Sequence, residues 1–197
     1  MAPRHQTSLR RHSRSSALAA ILVAGGLIVS GSGCGEKAPA SAAADDIDAC
    51  TVLTGADVDA VLGSAVGHPL ARRHGDETFW LSTCHYQAET GNGILSAGLT
   101  LKPHGVADGP LKAYADYETA LIAELGDGAA LTPVTGIGER AGWQDFGTSV
   151  GQLTVFQGPY QLILTASATA GADQLANAKA LAERVLQRLN PRWVRLF

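Results

Sequence analysis

Phe79-Trp80-Leu81-Ser82-Thr83-Cys84-His85-Tyr86-Gln87-Ala88, then Gly91-Asn92-Gly93, then Ile94-Leu95-Ser96-Ala97-Gly98-Leu99-Thr100-Leu101-Lys102, is the stretch from which the fold is read. The first run is rich in aromatic residues and Thr, the composition of a pleated, half-buried strand. Side chains alternate between the two faces of a strand, so Trp80, Cys84 and Tyr86 share one face. The second run places Leu95, Ala97, Leu99 and Leu101 together. Gly-Asn-Gly between them signals a turn, and strands joined by so short a link are antiparallel. The stretch therefore reads as a β-hairpin, ended by Pro103.

Downstream, Asp108 is placed to cap a helix with Pro110 in its first turn. Tyr114, Tyr117, Leu121 and Leu125 lie on one side of it, with Ile122 nearby, and Gly126 closes it. Residues 131–138 read as a Pro/Gly connection. Residues 140–144, 151–157 and 160–167 read as three strands, with Gly147 and Gly158-Pro159 at the turns. The last of these is the most apolar and is expected at the centre of a sheet. A final helix spans about 172–189, its buried stripe formed by Leu175, Ala178, Ala182, Val185, Leu186 and Leu189. Asn190-Pro191 stops it.

Upstream, Thr54 is an N-cap with Asp57 at the third helical position, and Leu53 and Val58 can form a hydrophobic staple. Val58, Val61 and Leu62 supply the buried face, and Gly63 ends the helix. The polar stretch 68–78 reads as a loop containing a small basic spot, Arg72-Arg73-His74. The expected architecture is an α+β domain over residues 47–197. It has a five-stranded, mainly antiparallel sheet, three helices packed on one face, and the order α-ββ-α-βββ-α.

The N-terminus has a different character. Residues 1–16 are basic and polar, and 17–29 form an uninterrupted apolar run, too short for the roughly 20 residues a membrane helix needs. A charged region, a short apolar region and then small residues, Ser30-Gly31-Ser32-Gly33, make a secretory signal. Cys34 follows directly. This segment resembles a bacterial lipoprotein signal, in which the Cys receives a diacylglyceryl group and cleavage leaves it as the first residue. Ser32 and Gly33 fit the small positions of that motif, while Gly31 stands where Leu or Val is usual. A plain secretory signal with a free Cys34 is the alternative. Arg10-Arg11 is a poor twin-arginine signal, because Ser13 lies where that motif has an apolar residue. Residues 35–46 lack apolar periodicity and read as a tether, reaching ~40 Å when extended. Gly35 after the lipidated Cys resembles outer-membrane lipoproteins, if the host has two membranes.

Of the 15 basic and 18 acidic residues, four basic ones (Arg4, Arg10, Arg11, Arg14) and no acid fall within residues 1–33. The chain from Cys34 onward then carries 11 basic against 18 acidic residues, a formal charge of −7. That balance argues against a nucleic-acid binder, which needs clustered cations to neutralise phosphates. With Cys34 assigned to lipid, Cys50 and Cys84 remain, an even pair that reads as a disulfide in an exported domain. The alternatives are a Cys84 nucleophile, for which His85 on the opposite face of a strand is a poor base, and a metal site, for which the scattered His68, His74, His85 and His104 lack ligand spacing.

The domain also resembles a group of small bacterial envelope lipoproteins of unknown function. The resemblance is carried by Asp48-Ala49-Cys50-Thr51-Val52-Leu53-Thr54, Ala56-Asp57-Val58 with Leu62-Gly63, Cys84-His85-Tyr86, residues 134–141, and Ala178-Lys179-Ala180-Leu181-Ala182. It implies a Cys50–Cys84 bridge and an envelope address, with no agreed activity.

Chemistry-bearing motifs are sparse. Gly136-x-Gly138-x-x-Ala141 formally matches a dinucleotide fingerprint, but no strand-to-helix context surrounds it, so a glycine turn is expected. No cofactor or metal is expected. Asp45, Asp46 and Asp48 read as an acidic tether. Trp80, Tyr86 and Trp143 are candidates for lining a ligand cleft, against core packing as the ordinary role of strand aromatics. The tail Arg192-Trp193-Val194-Arg195-Leu196-Phe197 either folds back or presents a sticky end. The functional expectation is a non-catalytic, lipid-anchored envelope protein, exported and bearing palmitate, that binds an envelope partner or a small ligand. An envelope hydrolase using His85, His104 or Asp145, and a carrier of apolar ligands, are the alternatives.

Overall fold

The structure, a computed structural model, describes residues 46–64, 66–76, 79–90, 93–146, 150–167 and 173–189. The signal segment, Cys34, most of the tether and the Arg192–Phe197 tail lie outside the described residues. A short helix α1 (Ala49–Val52) and helix α2 (Gly55–Leu62) come first. Three strands follow, β1 (Leu70–Gly75), β2 (Trp80–Thr90) and β3 (Gly93–Pro103), then helix α3 (Pro110–Leu125). Strands β4 (Thr132–Val134), β5 (Arg140–Asp145), β6 (Val150–Gln157) and β7 (Tyr160–Ser167) precede helix α4 (Gln174–Leu189). The strands form one antiparallel sheet in the order β1-β2-β3-β7-β6-β5-β4.

The fold is α+β, as expected, but the sheet has seven strands and the order is α-βββ-α-ββββ-α. Both added strands are edges. All six residues of β1 are exposed, so its sequence carries no alternation and reads as a polar loop. β4 is three residues long and contains Pro133, which a sheet tolerates only where one side of the strand is unpaired. The hairpin of β2 and β3 forms as read, with Cys84 opposite Leu99 and Tyr86 opposite Ala97. β7 occupies the central position that its apolar character predicts.

The helices do not share one face, which corrects a second expectation. Helices α1, α2 and α4 cover the core face, where Trp80, Cys84, Leu99, Leu101, Leu153, Val155, Leu162 and Leu164 are buried. Helix α3 lies on the other face, where Ala113, Tyr114, Tyr117 and Leu121 gather with Leu131 around Phe156. Val155 and Phe156 are adjacent, point to opposite faces and are both buried, which requires cover on both sides of β6. Leu125, read on the same side of α3 as Tyr114, Tyr117 and Leu121, is 64% exposed.

The local signals upstream act as read. Thr54 and Asp57 make a reciprocal capping box, and Gly63 closes α2 with φ of 66°. Leu53 and Val58 are both fully buried. Asp57 also ties α2 to α4. Arg188 donates to its carboxylate at 2.6 and 3.0 Å and to the Val52 carbonyl at 2.9 Å, while Arg184 lies 3.5 Å away. Burial alone would raise the Asp57 pKa, but the bonds from Arg188 and Thr54 outweigh it and hold the carboxyl at about 2.

Candidate functional site

Cys50 and Cys84 form a disulfide, with Cα atoms 5.0 Å apart, joining α1 to β2 on the core face. Trp80 is buried there and tilts against Tyr160, ring centroids 6.3 Å apart. The Tyr86 hydroxyl donates to the Leu53 carbonyl at 3.3 Å, and burial raises its pKa. Trp143 packs over Gly151, where a side chain would strike the indole. All three aromatics thus belong to the main core.

The three groups considered for hydrolysis stand apart. His85 lies over Gly98, its ring 2.6 Å from where a Cβ would be. His104 is engaged at the β6–β7 turn, Nε2 against the Gly158 carbonyl at 2.7 Å and Nδ1 accepting from the Val106 amide at 3.1 Å. Asp145 pairs with Gly151 at the other end of β6, roughly 20 Å away at the usual rise of a strand. The glycines of the fingerprint-like segment, Gly136 and Gly138, take positive φ and lead into β5 rather than a helix. The acidic cluster is divided: Asp48 caps α1, accepting from the Cys50 amide, and Asp46 pairs with Arg73 of β1. No group of three metal-ligating residues occurs among the described residues.

The α3 face holds what these candidates do not. Residues paired across neighbouring antiparallel strands share a face, so three rows can be followed along it. One row runs Lys102, Gln161, Phe156, Arg140. The next runs Arg72, Thr83, Thr100, Ile163, Thr154, Gly142. The third runs Leu70, His85, Gly98, Thr165, Gln152. Helix α3 covers the β5–β6 end, with Tyr114 and Tyr117 against Phe156 at 5.9 Å and Arg140 over the Tyr114 ring at 5.0 Å. Gly142 permits this approach, since a Cβ there would fall 2.8 Å from the Tyr114 hydroxyl. Beyond β6 the face is polar apart from Ile163 and Leu70 and carries Arg72, His85 and Lys102, cations and imidazole in a domain that is acidic overall, with Glu89 towards its far end.

Lys102 and Gln161 meet at the edge of the covered region. Gln161 is only 4% exposed, and its Nε2 has no hydrogen-bond partner. The Lys102 ammonium has its pKa pushed down by burial, with no carboxylate among the described residues acting to restore it. The Tyr114 hydroxyl, also buried and without a partner, lies on the same face. Sequence reading passed over both residues because Lys102 stands at the end of an alternating strand and Gln161 inside the most apolar one. The available signal was the alternation itself, which places both opposite the leucines.

Fold and bridge together define a disulfide-bonded α+β domain, and the bridge points to an oxidising, extracytoplasmic compartment. No protein-family model, curated protein or solved structure matches the chain. No helix among the described residues is long and apolar enough to cross a membrane.

Proposed function

We propose that this chain is a lipid-anchored, non-catalytic cell-envelope protein that binds an envelope partner or small ligand, akin to the small bacterial envelope lipoproteins its sequence resembles. The observation that carries the reading is a disulfide-bonded domain placed behind a secretory segment whose small residues end at Cys34. A diacylglyceryl Cys34, with palmitate among its chains, holds the domain at the membrane. Two or more buried acyl chains make that attachment lasting. In a two-membrane host Gly35 directs it to the outer membrane. The separate placement of His85, His104 and Asp145 supports a binding rather than a catalytic role. Metabolic labelling with palmitate tests the anchor. The wild-type chain incorporates label and Cys34→Ala does not; equal labelling of the two would overturn the reading.

A further inference from the structure

We infer that the α3 face carries a binding site for an oxyanion, the carboxylate or phosphate group of a polar ligand, held between the Lys102 ammonium and the Gln161 side-chain amide. This rests on the reading of the domain as a binding module and names the chemistry that the module accepts.

Lys102 and Gln161 are directly paired across β3 and β7, so their side chains emerge side by side on one face. Gln161 is nine-tenths buried and more, yet its Nε2 donates to nothing. A buried donor left unpaired is costly, and ordinary packing would remove that cost by an apolar residue in its place. β7 has just such residues at Leu162 and Leu164, so the strand itself tolerates them. Beside the orphan donor stands a half-buried cation with no ion pair among the described residues. One group satisfies both at once, an acceptor carrying negative charge. A charge-assisted bond to the ammonium and a second bond to the amide give such a group orientation as well as attraction.

The surroundings fit the assignment. Phe156, next in the row, and the tyrosines of α3 form an apolar wall on one side. Thr100 and Ile163, in the adjacent row, form a half-buried floor on the other. The neighbouring donor Gln152 is already engaged with the Tyr117 and Thr154 hydroxyls at 3.3 and 3.4 Å, and His104 is held by the β6–β7 turn. That leaves Lys102 and Gln161 as the unengaged pair in this row.

The test is a titration of the full-length protein in detergent micelles with succinate and, separately, inorganic phosphate. It is followed through the NMR signal of the Gln161 side-chain amide, identified by its absence in Gln161→Met. The expected result is a saturable shift with at least one probe, and the stronger probe tells carboxylate from phosphate. Lys102→Met weakens it about tenfold or more, the loss of one charge-assisted bond, while Lys102→Arg retains it. Signal dispersion of each variant shows that it is folded. No saturable shift with either anion, or equal affinity in folded Lys102→Met, overturns the inference. The titration is repeated on Cys34→Ala. Binding retained without the anchor supports the site on its own, and palmitate labelling without anion binding leaves the envelope reading standing while the site falls.

Discussion

The two faces of this sheet are built from the same strands and follow different rules. On the core face, β3 and β7 present Leu99, Leu101, Leu162 and Leu164, all essentially inaccessible to solvent, beneath α1, α2 and α4. The charge buried there, Asp57, is met by Arg188, Arg184 and its own helix cap. The disulfide spans a sequence separation of 34, which removes about 3–4 kcal/mol of entropy from the unfolded chain. On the α3 face the alternate residues of the same two strands are Gly98, Thr100, Lys102, Gln161, Ile163 and Thr165, of which Ile163 alone is a large apolar side chain. Here a cation and an amide are desolvated without being matched. The core face spends its apolar surface on stability, and that surplus allows the other face to keep polar groups in an unfavourable state.

The contrast is sharpest between adjacent residues of β7. Leu164 is fully buried on the core face, and Thr165 is half-buried on the other. Leu164→Ala is expected to lower unfolding stability by about 3 kcal/mol, through lost transfer energy and the cavity left behind. Thr165→Ala is expected to change it by less than about 0.5 kcal/mol. Urea unfolding of the two variants measures both. Equal losses would show that β7 is packed as tightly on the α3 face as on the core face and would abolish the distinction.

How much of this was legible in the sequence follows from the same contrast. The core face announced itself through period-2 and helical patterns, as in Leu95-Ala97-Leu99-Leu101 and the α4 stripe, because burial on one side writes a repeating signal. The Thr54–Gly63 helix was readable for a local reason, since its cap, staple and terminating glycine lie within the eleven residues from Leu53 to Gly63. Strand β1 left no pattern, being exposed on both sides, and three-residue β4 resembled a turn because of Pro133. The split of helices between faces was marked only by the buried pair Val155-Phe156. Lys102 and Gln161 were invisible as a pair because they are 59 positions apart and meet only through the register of β3 with β7. The charge at Asp57 was read as a cap, but its partner Arg188 comes from the far end of the chain.

That ion pair provides the second way to probe the difference between faces. The Asp57 carboxyl sits at about 2 in the fold against 3.8 for an unperturbed group. The depressed value means that its stabilisation is fully present above the unfolded pKa and is lost as pH falls through the folded one. The window is therefore from about pH 4 down to pH 2, and the loss is about 2 kcal/mol. In Arg188→Met the guanidinium no longer holds the carboxylate ionised, so the protein is less stable at pH 7 and loses less on acidification. Urea midpoints at pH 7 and pH 2.5 for both proteins give the comparison. An unchanged acid loss in the variant would mean that Arg188 does not set the ionisation of Asp57.

A smaller effect, at Lys102, has the opposite sign. Lys102 is a base whose folded pKa lies below its ordinary 10.5, because burial penalises the ammonium. The unfolded chain then holds that proton more tightly than the fold does. Charged Lys102 subtracts from stability at neutral pH, and the penalty fades as pH rises through the folded pKa towards 10.5. Lys102→Met keeps an unbranched stem beside its cross-strand partner Gln161 and removes the charge, so it is expected to raise stability at pH 7 by about 0.5 kcal/mol. A loss of more than about 1 kcal/mol in the urea midpoint would show that the ammonium has a structural partner on this face. Replacing a cation by Met thus destabilises the fold at Arg188 and relieves it at Lys102. The sign differs because one cation answers a buried carboxylate while the other waits, beside an unpaired amide, for an anion that no described residue supplies.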